Sequence, residues 1–132
     1  MDREELLRRY DAGKRNFSEI KMGNADFRQI DLSEVDLSRA NLSEANLSSI
    51  RFIGDLRNAV LEKADLRKAG LSEIDLSGAN LKGANLQDAC LIAAGLINTN
   101  LEGTSLKGVD FTEANLQGAC VRDSNICNAF IE

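Results

Sequence analysis

The amino-acid sequence predicts an all-β solenoid with a short α-helix covering its N-terminal end. Two columns of residues carry the prediction. Large apolar residues recur every five positions, and a smaller residue, most often alanine, stands two places before each of them. The stretch DLSEVDLSRANLSEANL at residues 31–47 shows both. Counting from Phe17 through Phe52 and from Leu56 through Ile131, all 24 centre positions are Leu, Phe, Met, Ile or Val, and 13 of the 24 partner positions are Ala. A helix cannot use this spacing, because five steps leave successive centres about 140° apart around the axis. A continuous strand fails as well, since an odd period sends successive centres to opposite faces. Within one pentad, however, the two columns lie two residues apart and share a face. A chain that turns after every pentad therefore points each face inward and coils on itself.

The elements follow in chain order. Residues 2–12 read as a helix, with Asp2 as N-cap, Glu5 three positions later and Gly13 at the stop. Residues 1–14 form this cap, and Leu6, Leu7 and Tyr10 cover the first coil, whose apolar end and strand edges would otherwise be open. The solenoid occupies residues 15–132. Glycine two places after the centre, at Gly78, Gly83, Gly103, Gly108 and Gly118, supports a tight turn there. One defect interrupts the register near residues 53–56, since Phe52 and Leu61 are nine residues apart. Either two pentads have lost one residue, with Leu56 as a centre and Gly54 in the alanine column, or one step carries a four-residue bulge. The match of Asp55-Leu56 to the repeat favours the deletion.

Composition narrows the function. Net charge is −5, from 21 acidic and 16 basic residues interspersed along the chain, which argues against a nucleic-acid partner. No cofactor or metal is expected: there is no His, and Cys90, Cys120 and Cys127 match no zinc spacing. The cysteines read as reduced thiols of a cytoplasmic protein. The charged start MDREELLRRY is no signal peptide, and no apolar run nears membrane-spanning length, so no membrane association is expected.

The pentads ADLRK (64–68), ANLKG (79–83), ANLQD (84–88) and ANLQG (114–118) resemble the pentapeptide repeat family, and in particular its small bacterial, cyanobacterial-type members. The resemblance implies a right-handed quadrilateral β-helix with the centre and alanine columns inside and the other three positions outside. Four pentads per turn then give about six coils, a rod on the order of 30 Å long at the usual strand spacing.

An interior filled by alternating large and small side chains leaves no ligand pocket, so function belongs on the walls or the ends. No enzyme activity is expected. There is no His to act as a base, and no Ser or Cys has an evident partner. Asp36, Asp55 and Asp75 should stack as an acidic ladder, but Asp and Asn before the centre equally serve turn backbone groups. Glu62, Lys82, Glu102 and Arg122 form a column of alternating sign, and Arg28, Arg67, Lys68 and Lys107 a modest basic strip. Ile92 and Ile97 stand where the repeat calls for polar residues. With Ala93, and with Ile53 in the column of Ile92, they form an apolar corner that is either an interface or a scatter of harmless isoleucines. At the far end Phe130 and Ile131 are candidates for an end-to-end contact, which would make a homodimer through the C-terminal coil.

These features point to a non-catalytic protein-interaction or structural scaffold whose partner the sequence does not name. The resemblance supplies an alternative, since quinolone-resistance members of the family mimic DNA and act on DNA gyrase. Against it, residues 16–132 hold 17 acidic and 11 basic residues with positive strips on the walls, and no inserted loop or C-terminal dimerising helix is legible.

Overall fold

The computed structural model describes residues 1–131; residue 132, the last of the expected solenoid, lies outside the described residues. Helix α1 (Arg3–Asp11) opens the chain. The Asp2 carboxylate accepts from the Glu5 backbone N–H at 2.9 Å. Glu5 does not reach back to Asp2 as a full capping box would; it pairs with Arg9 at 2.7 Å and with Arg8, one turn along. The acidic first turn and basic last turn both suit the helix dipole.

After α1 the chain winds as a β-helix. Parallel bridges join residues 20 apart, from Asn16 with Asp36 to Asp110 with Phe130, so four pentads complete a coil. Extended stretches are short because each pentad leaves its side after a few residues. Only β1 (Asp31–Asp36) and β2 (Arg51–Asp55) form longer strands among the described residues. Elsewhere each side contributes a single bridge per coil.

The turn explains the repeat. Away from the register break, the N–H of the alanine-column residue donates to the carbonyl of the preceding centre, as Ala40 does to Leu37 at 3.1 Å. This closes a β-turn whose third residue, two after the centre, has positive φ. Glycine fills some of these positions, but 17 are non-glycine, including Glu73, Lys63 and Ala93. Coil stacking therefore holds ordinary residues in a conformation that costs each roughly 1–2 kcal/mol. Where Asp or Asn precedes a centre it commonly stabilises the corner, its side-chain oxygen accepting from the N–H two residues on, as at Asp36, Asn41, Asp75 and Asn85.

Inside, the centres are buried from Phe17 to Phe111 and the alanine column from Ile30 to Val109 except at Gly54, with Ile20 and Ala25 only partly so. Each large centre contributes roughly 1.5–3 kcal/mol by leaving water. Thr99 and Thr104 occupy the alanine column without stranding a polar atom. Their hydroxyls donate to the carbonyls of Leu76 and Leu101 at 2.9 and 2.8 Å.

At the register break, Leu32 pairs with Phe52 and Ser33 with Ile53, but Val35 pairs with Gly54, leaving Glu34 bulged. The second coil thus lacks one turn residue, and bridges across it join residues 19 apart, as in Asn41 with Val60. Phe52 and Leu56 both remain buried centres. Glycine is required at 54 for a steric reason: a Cβ there would stand 2.0 Å from the Val35 carbonyl oxygen.

Candidate interaction surfaces

The interior has no room for a ligand. The space bounded by Leu37, Leu47, Phe52 and Leu66 amounts to ≈ 10 Å³, about one water's worth. Among the described residues no group of His, Cys, Asp and Glu could hold a metal ion, and no helix is long and apolar enough to cross a membrane. The three cysteines are free, with Cys120 and Cys127 exposed and Cys90 half-buried. The Cys90 Sγ lies 3.1 Å from the Ser72 Oγ.

On the walls, backbone pairing fixes which outward side chains are neighbours. Ile53 and Ile92 share a column, with Ser72 between them. Ile92 and Ile97 are 36% and 37% exposed and Ile53, on the shortened turn, 64%. Along the coil that carries Ile92, the outward residues Ile92, Ala93, Gly95 and Ile97 form an unbroken apolar stripe around one corner. The stripe is one coil wide. Ser72 and Thr112 flank Ile92, Glu73 and Glu113 flank Ala93, and Asp75 and Asn115 flank Gly95.

The acidic ladder lies on the same corner. Asp36 pairs with Asp55 and Asp55 with Asp75 in consecutive coils. It is not a bare column of charge, because Arg57 binds Asp55 at 2.6 Å and stands 3.9 Å from Asp75. The Arg57 hydrogen bonds hold the Asp55 carboxyl below the usual carboxylate range. This arginine was not singled out by column spacing, although its place two residues after Asp55 is a local signal for such a pair.

The other charged columns are weaker than their spacing suggests. Arg122 donates to Glu102 at 3.2 Å, but Glu62 accepts from Asn80 at 2.6 Å rather than pairing with Lys82. In the basic strip, Arg67 is bound to Asp65 at 2.6 Å and Arg28 to Asp26 at 2.8 Å. Their charge is thereby largely neutralised where it stands.

The two ends differ. At the first coil Leu6 is fully buried and Leu7 and Tyr10 pack half-buried against the core. Tyr10 also clamps the edge of β1: the Ser33 N–H donates to its hydroxyl at 3.1 Å, and the Ser33 side-chain and backbone contacts pull its phenol below the ordinary value. Arg3 donates to the carbonyls of Asp26 and Arg28 at 3.1 and 3.3 Å. At the last coil Val121, Ile126, Phe130 and Ile131 are 47%, 52%, 65% and 55% exposed. Val121, Ile126 and Ile131 rim an apolar hollow of ≈ 190 Å³ floored by Leu106 and Phe111.

Among solved structures, the chain is similar to the pentapeptide repeat protein Rfr23 from the cyanobacterium Cyanothece, with 30% identity, TM-score 0.56, and coverage of 98% of this chain and 99% of that one. It is also similar to alr5209 from Nostoc at 36% identity and TM-score 0.42, covering 71% of this chain and 80% of that chain. QnrB1, a plasmid-mediated fluoroquinolone resistance protein, matches at 17% identity and TM-score 0.34, covering 89% of each chain. Curated proteins yield no match. Pentapeptide repeats match in eight copies over residues 16–53, 59–94 and 89–126. With that coverage the chain belongs to the pentapeptide repeat family, whose members form right-handed quadrilateral β-helices and are generally structural or interaction proteins.

Proposed function

We propose that the protein is a non-catalytic scaffold: a rigid β-helix of about six coils that presents its outer walls and its last coil to protein partners. The observation that carries this reading is where apolar side chains are left in water. The core is filled, and the large apolar residues outside it gather at the corner of Ile53, Ile92 and Ile97 and on the last coil, apart from Met1. Exposed apolar groups gathered in this way mark contact surfaces. A second copy of the chain is one candidate for the last coil, where the apolar rim and a strand edge unpaired among the described residues would be covered together. The free cysteines support a cytoplasmic setting.

The test is affinity capture from source-cell lysate with the intact chain, with Ile92→Ser/Ile97→Ser and with Ile126→Ser/Ile131→Ser, each also run by size-exclusion light scattering. A partner lost, or a dimer dissociated, in either variant at unchanged unfolding temperature supports the scaffold. Identical recovery from all three proteins removes both surfaces from consideration. Inhibition of gyrase supercoiling at micromolar protein would turn the reading to the DNA-mimic alternative instead.

A further inference from the structure

The apolar stripe and the acidic ladder, separate features in the sequence, occupy one corner of the β-helix, and the missing turn residue falls there too. Glu34, Asp36, Asp55, Glu73, Asp75 and Glu113 surround Ile53, Ile92, Ala93 and Ile97, with Arg57 among them and Arg51 beside Ile53. Arg57 is engaged by Asp55 and Asp75, while Glu73 and Glu113 make no ion pair among the described residues. The shortened turn thrusts Ile53 outward. Beside it a recess of ≈ 480 Å³ opens, because Gly70 puts no side chain between Arg51 and Cys90 in its column. The surface is thus an apolar line, with a seat at one end, bordered on both sides by carboxylates.

We propose that this corner docks a basic amphipathic segment of a partner protein, its apolar side chains laid along Ile92, Ala93 and Ile97 or seated beside Ile53 and its lysines or arginines against Glu73, Asp75 and Glu113. The proposal rests on the scaffold function and names the chemistry of one of its surfaces. Apolar contact supplies the affinity, and complementary charge selects partners and speeds encounter. An acidic segment is repelled, and a basic segment without apolar residues leaves the stripe uncovered.

The experiment is a fluorescence anisotropy titration of the full chain with three short peptides, alternating lysine with leucine, lysine with serine, and glutamate with leucine. The lysine–leucine peptide should bind at least about tenfold more tightly than the others and weaken as salt rises. Ile92→Ser/Ile97→Ser and Glu73→Gln/Glu113→Gln should each lower its affinity about tenfold or more. Glu44→Gln/Glu62→Gln, two pentads further round the coil, should leave it unchanged. Glu73→Lys/Glu113→Lys, a second variant that keeps both side chains long, should shift the preference to the glutamate–leucine peptide. Equal affinity for the wild type and the corner variants overturns the proposal, as does a lysine–serine peptide that binds equally well. Because the probes are defined peptides, that failure is separate from the capture result on which the scaffold function depends.

Discussion

The pentads ANLKG at residues 79–83 and ANLQG at residues 114–118 differ only in Lys82 against Gln117, both outward. Leu81 is nevertheless fully buried, whereas Leu116 is only partly so, and Ala79 and Ala114 differ in the same way. The difference is position in the stack. Leu81 has coils above and below, with Leu61 and Leu101 continuing its column, whereas nothing among the described residues stacks on the coil of Leu116. Burial in this fold belongs to neighbouring coils jointly, as in other repeat proteins where stability is a sum of repeats and interfaces. At the opposite end α1 substitutes for the missing coil, with Leu6 for the core, Arg3 for two carbonyls and Tyr10 for the edge of β1.

The largest expected effect tests that difference directly. Leu81→Ala should cost about 2–5 kcal/mol, since it opens a cavity between packed coils. Leu116→Ala, the same change in almost the same pentad, should cost about 1 kcal/mol, because its site is already partly wet. Chemical denaturation of the two variants measures both values. Equal losses would mean that something covers the last coil in solution, and a concentration-dependent midpoint for the wild type would identify it as a second copy.

A smaller effect is expected at the capped end. Tyr10→Phe removes the hydroxyl that accepts from the Ser33 N–H, and the loss of that partly buried bond should cost about 1 kcal/mol. Native-state hydrogen exchange gives the sharper readout. The Ser33 amide should exchange faster in the variant, approaching the rates of the Leu116, Val121 and Ile126 amides, which have no acceptor among the described residues. An unchanged Ser33 amide would show that the clamp contributes nothing beyond the packing of the Tyr10 ring.

These differences also mark what could be read from the sequence. The inward columns were legible because a five-residue period admits one geometry, and the deletion at Gly54 was legible because Asp55-Leu56 restarts the repeat. Glycines two after the centre disclosed the turn. The same φ at Glu73 or Lys63 was not legible, because nothing in those residues prefers it and only stacking imposes it. The cap was visible as a helix with Leu6, Leu7 and Tyr10 on one face. The bonds of Arg3 and Tyr10 to the first coil were not, since they join residues 23 or more apart outside the repeat. For the surfaces, spacing placed Ile53 and Ile92 in one column and the three aspartates in another. It did not reveal that both columns meet at one corner, nor that Arg57 sits within the ladder.

The smallest expected effect concerns charge and again separates the last coil from the rest. Asp26, Asp55 and Asp65 each accept from the backbone N–H and the guanidinium of the arginine two residues on. Those side-chain hydrogen bonds hold all three carboxyls below their usual range, Asp26 at about 2. A carboxyl depressed in the folded state stabilises it above the unfolded value near 4 and loses that contribution as pH falls through the folded value. The wild-type unfolding temperature should therefore drop between about pH 4 and pH 2. In the double variant Asp55→Asn/Asp65→Asn the amide oxygen still accepts from the turn N–H, so the loss at pH 7 should stay under about 1 kcal/mol per site once solvent screening is allowed for. Its unfolding temperature should fall less steeply across the acid range. The last coil carries Asn115, Cys120 and Asn125 at the equivalent position and has nothing there to titrate as a carboxyl. Amides of the coils holding Asp26, Asp55 and Asp65 should accordingly lose protection in acid relative to those of the last coil. A double variant as acid-sensitive as the wild type would move the acid response to Asp26 and Asp110, the other carboxyls held below their usual range.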